Sequence, residues 1–299
     1  MGRQRGSMRK RTGPRPAKRH KRLNRSPLTT ALLAVILAGL GMFMALPLLY
    51  AVVSAFKPLE EFFLFPPRFM VINPTLENFT QMSQLISNLW ISFDRYLFNT
   101  VMVSVVSTVT YILIASLAAY PLAKHRFAGR RAIRSIITTA LMFTAAVTGV
   151  VQYVILAFIG LIDTYGALIL PSLANTMGVF LCMQNLETIP GEMLESGRMD
   201  GAGEYRIWWS LVMPNIKPVL ATMVIFQFQS VWNITAGNVV YSEALKPLPT
   251  AMTQITTAGI SRAGVGSAVA MLLMIPPILL FILAQRKVME TMVNSGIKG

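Results

Sequence analysis

Six stretches of the chain, residues 28–55, 96–123, 136–160, 166–186, 218–236 and 265–283, contain no Asp, Glu, Lys or Arg. A helix rises about 1.5 Å per residue and a hydrocarbon core is about 30 Å thick, so roughly 20 apolar residues cross a bilayer. Only helices or closed barrels satisfy every backbone polar group there, and runs of this length and continuity favour helices. The composition agrees: 54% of residues are hydrophobic and 13% charged, about half the charged share of a soluble domain. The expected fold is therefore all-α and polytopic, with six transmembrane helices. The first run is too long, and its basic flank too extended, for a cleaved signal peptide.

Lys and Arg set the orientation, because loops on the cytoplasmic side are enriched in them. Alternate segments 1–27, 124–135, 187–217 and 284–299 hold 11, 5, 3 and 3 basic residues. The intervening segments 56–95, 161–165 and 237–264 hold 3, none and 2. Both termini are thus expected in the cytoplasm.

The net charge of +15 is concentrated in the head, residues 1–27, which also carries Pro14, Pro16 and Pro27 and lacks apolar periodicity. That composition predicts a disordered tail attracted to anionic lipid. No aromatic interleaving or folded module accompanies the charge, so nucleic acid is not an expected partner. The single cysteine, Cys182, allows no internal disulfide. His20 and His125 lie far apart without a ligand cluster, and no metal site is expected.

One segment breaks the pattern. Between Glu187 and Lys217, five acids stand against three bases in a segment expected to be cytoplasmic. Pro190 can open a helix, since its missing N–H would go unpaired there. Met193, Leu194 and Gly197 then share one side of a short helix. Asp200 and Gly201 fit a sharp turn or cap, Gly201 because it tolerates a left-handed backbone. Tyr205, Trp208, Trp209 and Val212 recur at helical spacing in a second helix, and Pro214 and Pro218 lead into the fifth run. An interfacial helix usually carries basic residues on its polar face. This acidic one suits a cation-bearing groove on another protein, so the first helix reads as a docking element.

No run contains an ionisable residue, whereas ion-coupled carriers usually hold such groups within the membrane. Asn175, Gln227, Gln229, Trp232 and Asn233 are left as polar candidates for a solute path. Gln227 and Gln229, two apart, cannot share a helix face. Trp232 fits a sugar-stacking ring or an interfacial anchor. No G-x-x-x-x-G-K-[ST] loop is present to cradle phosphates, nor any catalytic triad or carboxylate pair, so no enzymatic activity is expected of the chain.

Glu195-Ser196-Gly197, three residues, Gly201, nine residues, then Leu211-Val212-Met213-Pro214 resembles the E-A-A…G…I-x-L-P pattern of the permease subunits of bacterial ATP-binding-cassette importers. Phe98–Arg131, the run from Asp200 to Asn233 and the terminal NSGIKG are similar to the carbohydrate-type, MalG-like members. The alanines are replaced here by Ser196 and Gly197, and glycine costs about 1 kcal/mol in a helix. The resemblance implies a MetI-like type I importer fold in the bacterial plasma membrane, with a permease at 28–299 whose transmembrane core lies at about 95–285. It also implies a coupling segment at 187–217 in which Glu195, Ser196, Gly197, Asp200, Gly201 and Pro214 serve contact with the ATPase. The implied partners are a second homologous permease, two ATP-binding subunits that hold the ATP and magnesium, and an extracellular or periplasmic solute-binding protein. No cofactor is implied on this chain. The solute implied is an oligosaccharide or related polyol, with the loop 237–264 reaching toward the binding protein. Lys298 and Gly299 are implied at the ATPase interface. An ion-driven carrier and a pathway-less membrane scaffold remain the alternative readings.

Overall fold

A computed structural model describes residues 27–88, 91–142, 145–257 and 259–295. The head through residue 26, and Lys298 and Gly299, lie outside the described residues. Every regular element among the described residues is helical. The chain divides into two units, Met1–Leu49 and Tyr50–Gly299.

The first unit holds most of α1 (Pro27–Ala55), which has no charged residue and no polar face. A helix apolar all round is made for burial or for lipid.

The second unit begins with α2 (Leu59–Phe62), α3 (Glu77–Ser87) and the long α4 (Phe93–Lys124). Next come α5 (Arg130–Ala140), α6 (Ala145–Phe158), α7 (Gly166–Leu173) and α8 (Thr176–Glu187). The acidic segment holds α9 (Gly191–Met199), α10 (Glu204–Ile207), a π turn at Trp208–Val212 and α11 (Met213–Asn215). Then α12 (Lys217–Trp232), α13 (Leu248–Thr256) and α14 (Ala263–Ser295) complete the chain.

α4 organises this unit. Its buried side recurs at four-residue steps through Asn99, Val103, Ser107, Tyr111, Ala115 and Ala119. Small residues on such a stripe let helices approach closely, and α4 packs on α7, α8, α12 and α13. α14 packs on α3, α12 and α13. The core on the C-terminal half of α4 gathers Ala119, Leu186, Leu194, Ile207, Val212 and Ile216, so it reaches into the acidic segment.

Among the described residues, four helices are long and apolar enough to cross a membrane: Leu28–Ala55, Phe93–Lys124, Gly166–Glu187 and Ala263–Gln285. A fifth results if Glu204–Asn215 and Lys217–Trp232 count as one span despite the 81° between them. The bend has a local cause. Pro214 and Pro218 have no N–H to donate, and a proline ring crowds the preceding turn of a helix.

The run at 136–160 differs from the expected single helix. α5 ends at Ala140, Leu141 and Met142 form a turn, and the next described helix starts at Ala145. α5 is amphipathic, with Arg130, Arg131 and Arg134 on one side and the exposed Ile133 and Ile136 on the other. A count of apolar residues registers no break in the backbone, so the six-run count exceeds the four or five helices of spanning length.

The loop after α12 is held down on α4. Asn99 Nδ2 donates to the carbonyls of Ala244 and Lys246 at 2.9 and 3.0 Å. Tyr96 Oη donates to Glu243 Oε1 at 2.7 Å, and Leu248 N to Thr100 Oγ1 at 2.7 Å. Asp163, before α7, accepts from the backbone N–H groups of Tyr241 and Ser242. This stretch of the 237–264 loop is thus anchored along its length.

Candidate functional site

The acidic segment folds as an elbow. Pro190, extended at φ −59° and ψ 137°, precedes α9. Leu194 and Gly197 are buried and Met193 packs on the same core. Glu195 and Ser196 are exposed on the other side. Ser196 Oγ donates to the carbonyl of Met193 at 2.9 Å. Among the described residues the Glu195 side chain makes no hydrogen bond or ion pair.

α9 ends where Gly201 takes φ +76°, a left-handed geometry that costs other residues about 1–2 kcal/mol. Gly201 N bonds back to Arg198 O, and Ala202 N to Gly197 O, both at 3.0 Å. Asp200 caps the helix by its backbone, with its N–H on Ser196 O at 3.0 Å. Gly197 serves a different need. A Cβ there would stand 2.8 Å from Leu211 Cδ1, so the missing side chain lets the two arms close together.

The second arm buries only part of the stripe its spacing marks, with Trp208 packed on the core. Ile207 and Val212 are fully buried and Leu211 packs on the core, while Tyr205 and Trp209 are exposed. The π turn at Trp208–Val212 rotates the helix by widening one turn. Pro214 follows directly, exposed, and Asn215 Nδ2 takes up the carbonyl of Leu211 at 2.6 Å.

Between the arms lies a group that sequence reasoning did not assemble. Arg198 Nε donates to Glu204 Oε1 at 2.8 Å, and its Nη2 lies 3.4 Å from Oε2. Tyr120 Oη, near the end of α4, donates to Glu204 Oε2 at 2.7 Å. His125 Nε2 lies 3.3 Å from Glu204 Oε2 and 3.1 Å from Arg198 Nη2. The Arg198 and Tyr120 hydrogen bonds hold the Glu204 carboxyl far below its ordinary range, at about 2. Lys124 Nζ adds a bond to the carbonyl of Ile189 at 2.6 Å, and Arg134 pairs with Glu187. The sequence signal was the Arg-to-Glu spacing across a glycine turn. Tyr120 left none, being 84 residues away.

Of the five candidate solute residues, Asn175 and Gln227 come together and the other three do not. Gln227 is 1% exposed, donates from Nε2 to Ser172 O at 2.8 Å and faces Asn175 Nδ2 at 3.4 Å. Asn175 caps α8, accepting from Met177 N at 3.0 Å. Both line a cavity of about 270 Å³ with Tyr111, Met223 and Phe226. Gln229 is exposed. Trp232 points elsewhere: it is 4% exposed, stacks on Phe228 and donates to Leu273 O at 2.9 Å. Asn233 is exposed and its amide bonds back to Gln229 O of its own helix. No cluster of metal-ligating residues occurs among the described residues.

Among the described residues the chain is thus all-helical, with a short acidic elbow set between apolar helices. Residues 111–293 match the family described as binding-protein-dependent transport system inner membrane component, and the chain belongs to it. It is 27% identical over 282 residues to the arabinooligosaccharides transport system permease protein AraQ of Halalkalibacterium halodurans, covering 92% of this chain and 98% of that one. It is 31% identical over 210 residues to the sn-glycerol-3-phosphate transport system permease protein UgpE of Rhizobium meliloti, covering 69% and 74%. The fold resembles a chain of a bacterial ABC transporter involved in the import of the acidic polysaccharide alginate, with a TM-score of 0.71, 22% identity, and 90% and 99% of the two chains covered. The fold is thus the MetI-like permease fold, and the chain is a transport component of a binding-protein-dependent system.

Proposed function

We propose that this permease forms half of a translocation path for a carbohydrate, an oligosaccharide or related polyol, in the bacterial plasma membrane. A second homologous permease supplies the other half. Two ATP-binding subunits, which carry the ATP and magnesium, drive it from the cytoplasm, and an extracellular or periplasmic solute-binding protein delivers the solute. In this reading 1–27 is a basic cytoplasmic head, 28–299 the permease, and 187–217 the coupling segment. The permease crosses the bilayer six times with both termini inside. α5 and α6 together make the third crossing, and α12 with the residues that follow makes the fifth.

The observation that carries the reading is α9. It presents the Glu195 side chain unpaired on an exposed face, while Leu194 and Gly197 fasten the opposite face to the core shared with α4. A stiff helix with one free charged side and one anchored side can pass a push from a nucleotide-driven partner into the bundle. Ser196 borders the same exposed face, and Gly201, Asp200 and Pro214 set the elbow's angles. The carbohydrate class rests on the names of the relatives, AraQ and UgpE. Asn175 and Gln227 are the better solute contacts, because they share a cavity and Trp232 is engaged in packing.

The test is Glu195→Lys in the assembled complex. Uptake is expected to vanish while the ATP-binding subunits still co-purify. Normal uptake by this variant, or uptake by the wild-type chain alone following an ion gradient, overturns the reading.

A further inference from the structure

We propose that Glu204 is a positioning residue that locks the elbow to the end of α4, so that motion of α9 reaches α4 as well as α12. This rests on the coupling role proposed for α9.

Asp200, Gly201, Ala202 and Gly203 join the arms, and a link with two glycines would by itself be a hinge. A hinge absorbs displacement. Glu204 removes that freedom by holding three elements at one carboxylate. Arg198 reaches it from the last turn of α9, at 2.8 and 3.4 Å. Tyr120 reaches it from α4 at 2.7 Å, and His125, just past α4, at 3.3 Å.

Two N–H groups of one guanidinium on two carboxylate oxygens fix an angle as well as a distance. Apolar packing joins the same elements deeper in, through Ala119, Leu194 and Ile207, but not beside this carboxylate. A cavity of about 290 Å³ flanks the link, lined by Leu117, Pro121, Tyr205 and Trp208 with the linked side chains, so polar bonds bridge that gap. The Glu204 and Arg198 side chains are 48% and 39% exposed. A half-exposed ion pair adds little to stability. Its removal should therefore spare folding and assembly, and loosen the transmission.

The complex, with its own ATP-binding subunits and binding protein, is reconstituted in liposomes, and solute uptake is measured per ATP hydrolysed. In Glu204→Gln the subunits co-purify as in the wild type and ATP hydrolysis stays within about twofold, while uptake per ATP falls about tenfold. Tyr120→Phe gives a smaller loss in the same ratio. Arg198→Glu and Glu204→Arg singly uncouple, and together they recover part of the ratio. An unchanged ratio in Glu204→Gln overturns the proposal. So does a parallel loss of subunits, uptake and hydrolysis, which would make Glu204 an ordinary structural residue. If the wild-type chain co-purifies with no ATP-binding subunit, the coupling role of α9 fails and the proposal falls with it. If the subunits are present and the ratio is unmoved, the proposal alone falls.

Discussion

Gly197 lies so near Leu211 that a methyl group added to its α-carbon would stand 2.8 Å from Leu211 Cδ1, with Ile207 Cγ1 next at 3.5 Å. The atom in the way is the tip of a flexible side chain. Gly197→Ala is therefore expected to be tolerated, since moving one methyl is offset by the roughly 1 kcal/mol that alanine gains over glycine in a helix. Gly197→Val places two methyls in the same gap and should push the arms apart, with a loss of about 1–3 kcal/mol from overpacking. Thermal unfolding of the purified complex, with uptake measured alongside, separates the two.

Gly201 makes a different prediction, because its backbone and not its surroundings is special. Nothing lies within 4 Å of a Cβ placed there, yet its φ is +76°. Gly201→Ala should cost about 1–2 kcal/mol through the left-handed geometry alone. If the turn relaxes instead, α9 changes direction and uptake falls while assembly persists. Unaltered uptake and unfolding temperature would show the turn to be immaterial.

The same elbow shows what the sequence could and could not disclose. Pro190, Gly201 and Pro214 mark its corners, because proline and glycine act through their own backbones and need no distant partner. The stripe on its second arm was legible in part. Val212 is buried and Trp208 packs on the core, while Tyr205 and Trp209 are exposed. Ile207 and Leu211, outside the stripe, join the core beside the π turn at Trp208–Val212. Apolar runs are legible because lipid imposes them residue by residue. Backbone continuity is not imposed that way, and the stretch at 136–160 became two described helices. Trp232 shows a third limit: its type suits either a sugar ring or a core, and only the bond to Leu273 O decides.

That contrast separates two substitutions. Gln227→Leu removes an amide that lines the cavity beside Asn175 and donates to Ser172 O. It should raise the KM of uptake several-fold, roughly what one lost hydrogen bond of about 1 kcal/mol allows. Trp232→Phe strands Leu273 O and should lower stability by about 1–3 kcal/mol while leaving the KM unchanged. Uptake kinetics set beside unfolding curves check both, and a KM change in Trp232→Phe alone would reverse the assignment.

The Glu204 carboxyl, lowered from 4.5 to about 2 by its bonds from Arg198 and Tyr120, sets a pH window. A depressed carboxyl contributes stability that is complete above its unfolded pKa and is lost as pH falls toward its folded one. The link's contribution to stability is therefore expected to be complete at neutral pH and to be lost between 4.5 and about 2, where the folded carboxyl finally takes up its proton. Solvent screening keeps the contribution of this half-exposed pair small, so the difference in unfolding temperature between wild type and Glu204→Gln should be slight, constant above roughly pH 6 and smaller still below roughly pH 4. A difference that grows on acidification would contradict the sign.

Cross-linking from position 195 tests the central claim most directly. Cys182 is buried, so a cysteine introduced as Glu195→Cys offers an exposed thiol in the described permease. In the intact complex it should cross-link to an ATP-binding subunit, and whatever uptake the variant retains should be lost on cross-linking and regained when a cleavable linker is reduced. A thiol at 195 that labels freely from the cytoplasmic solvent and never cross-links to such a subunit, in a complex that transports normally, would contradict the account.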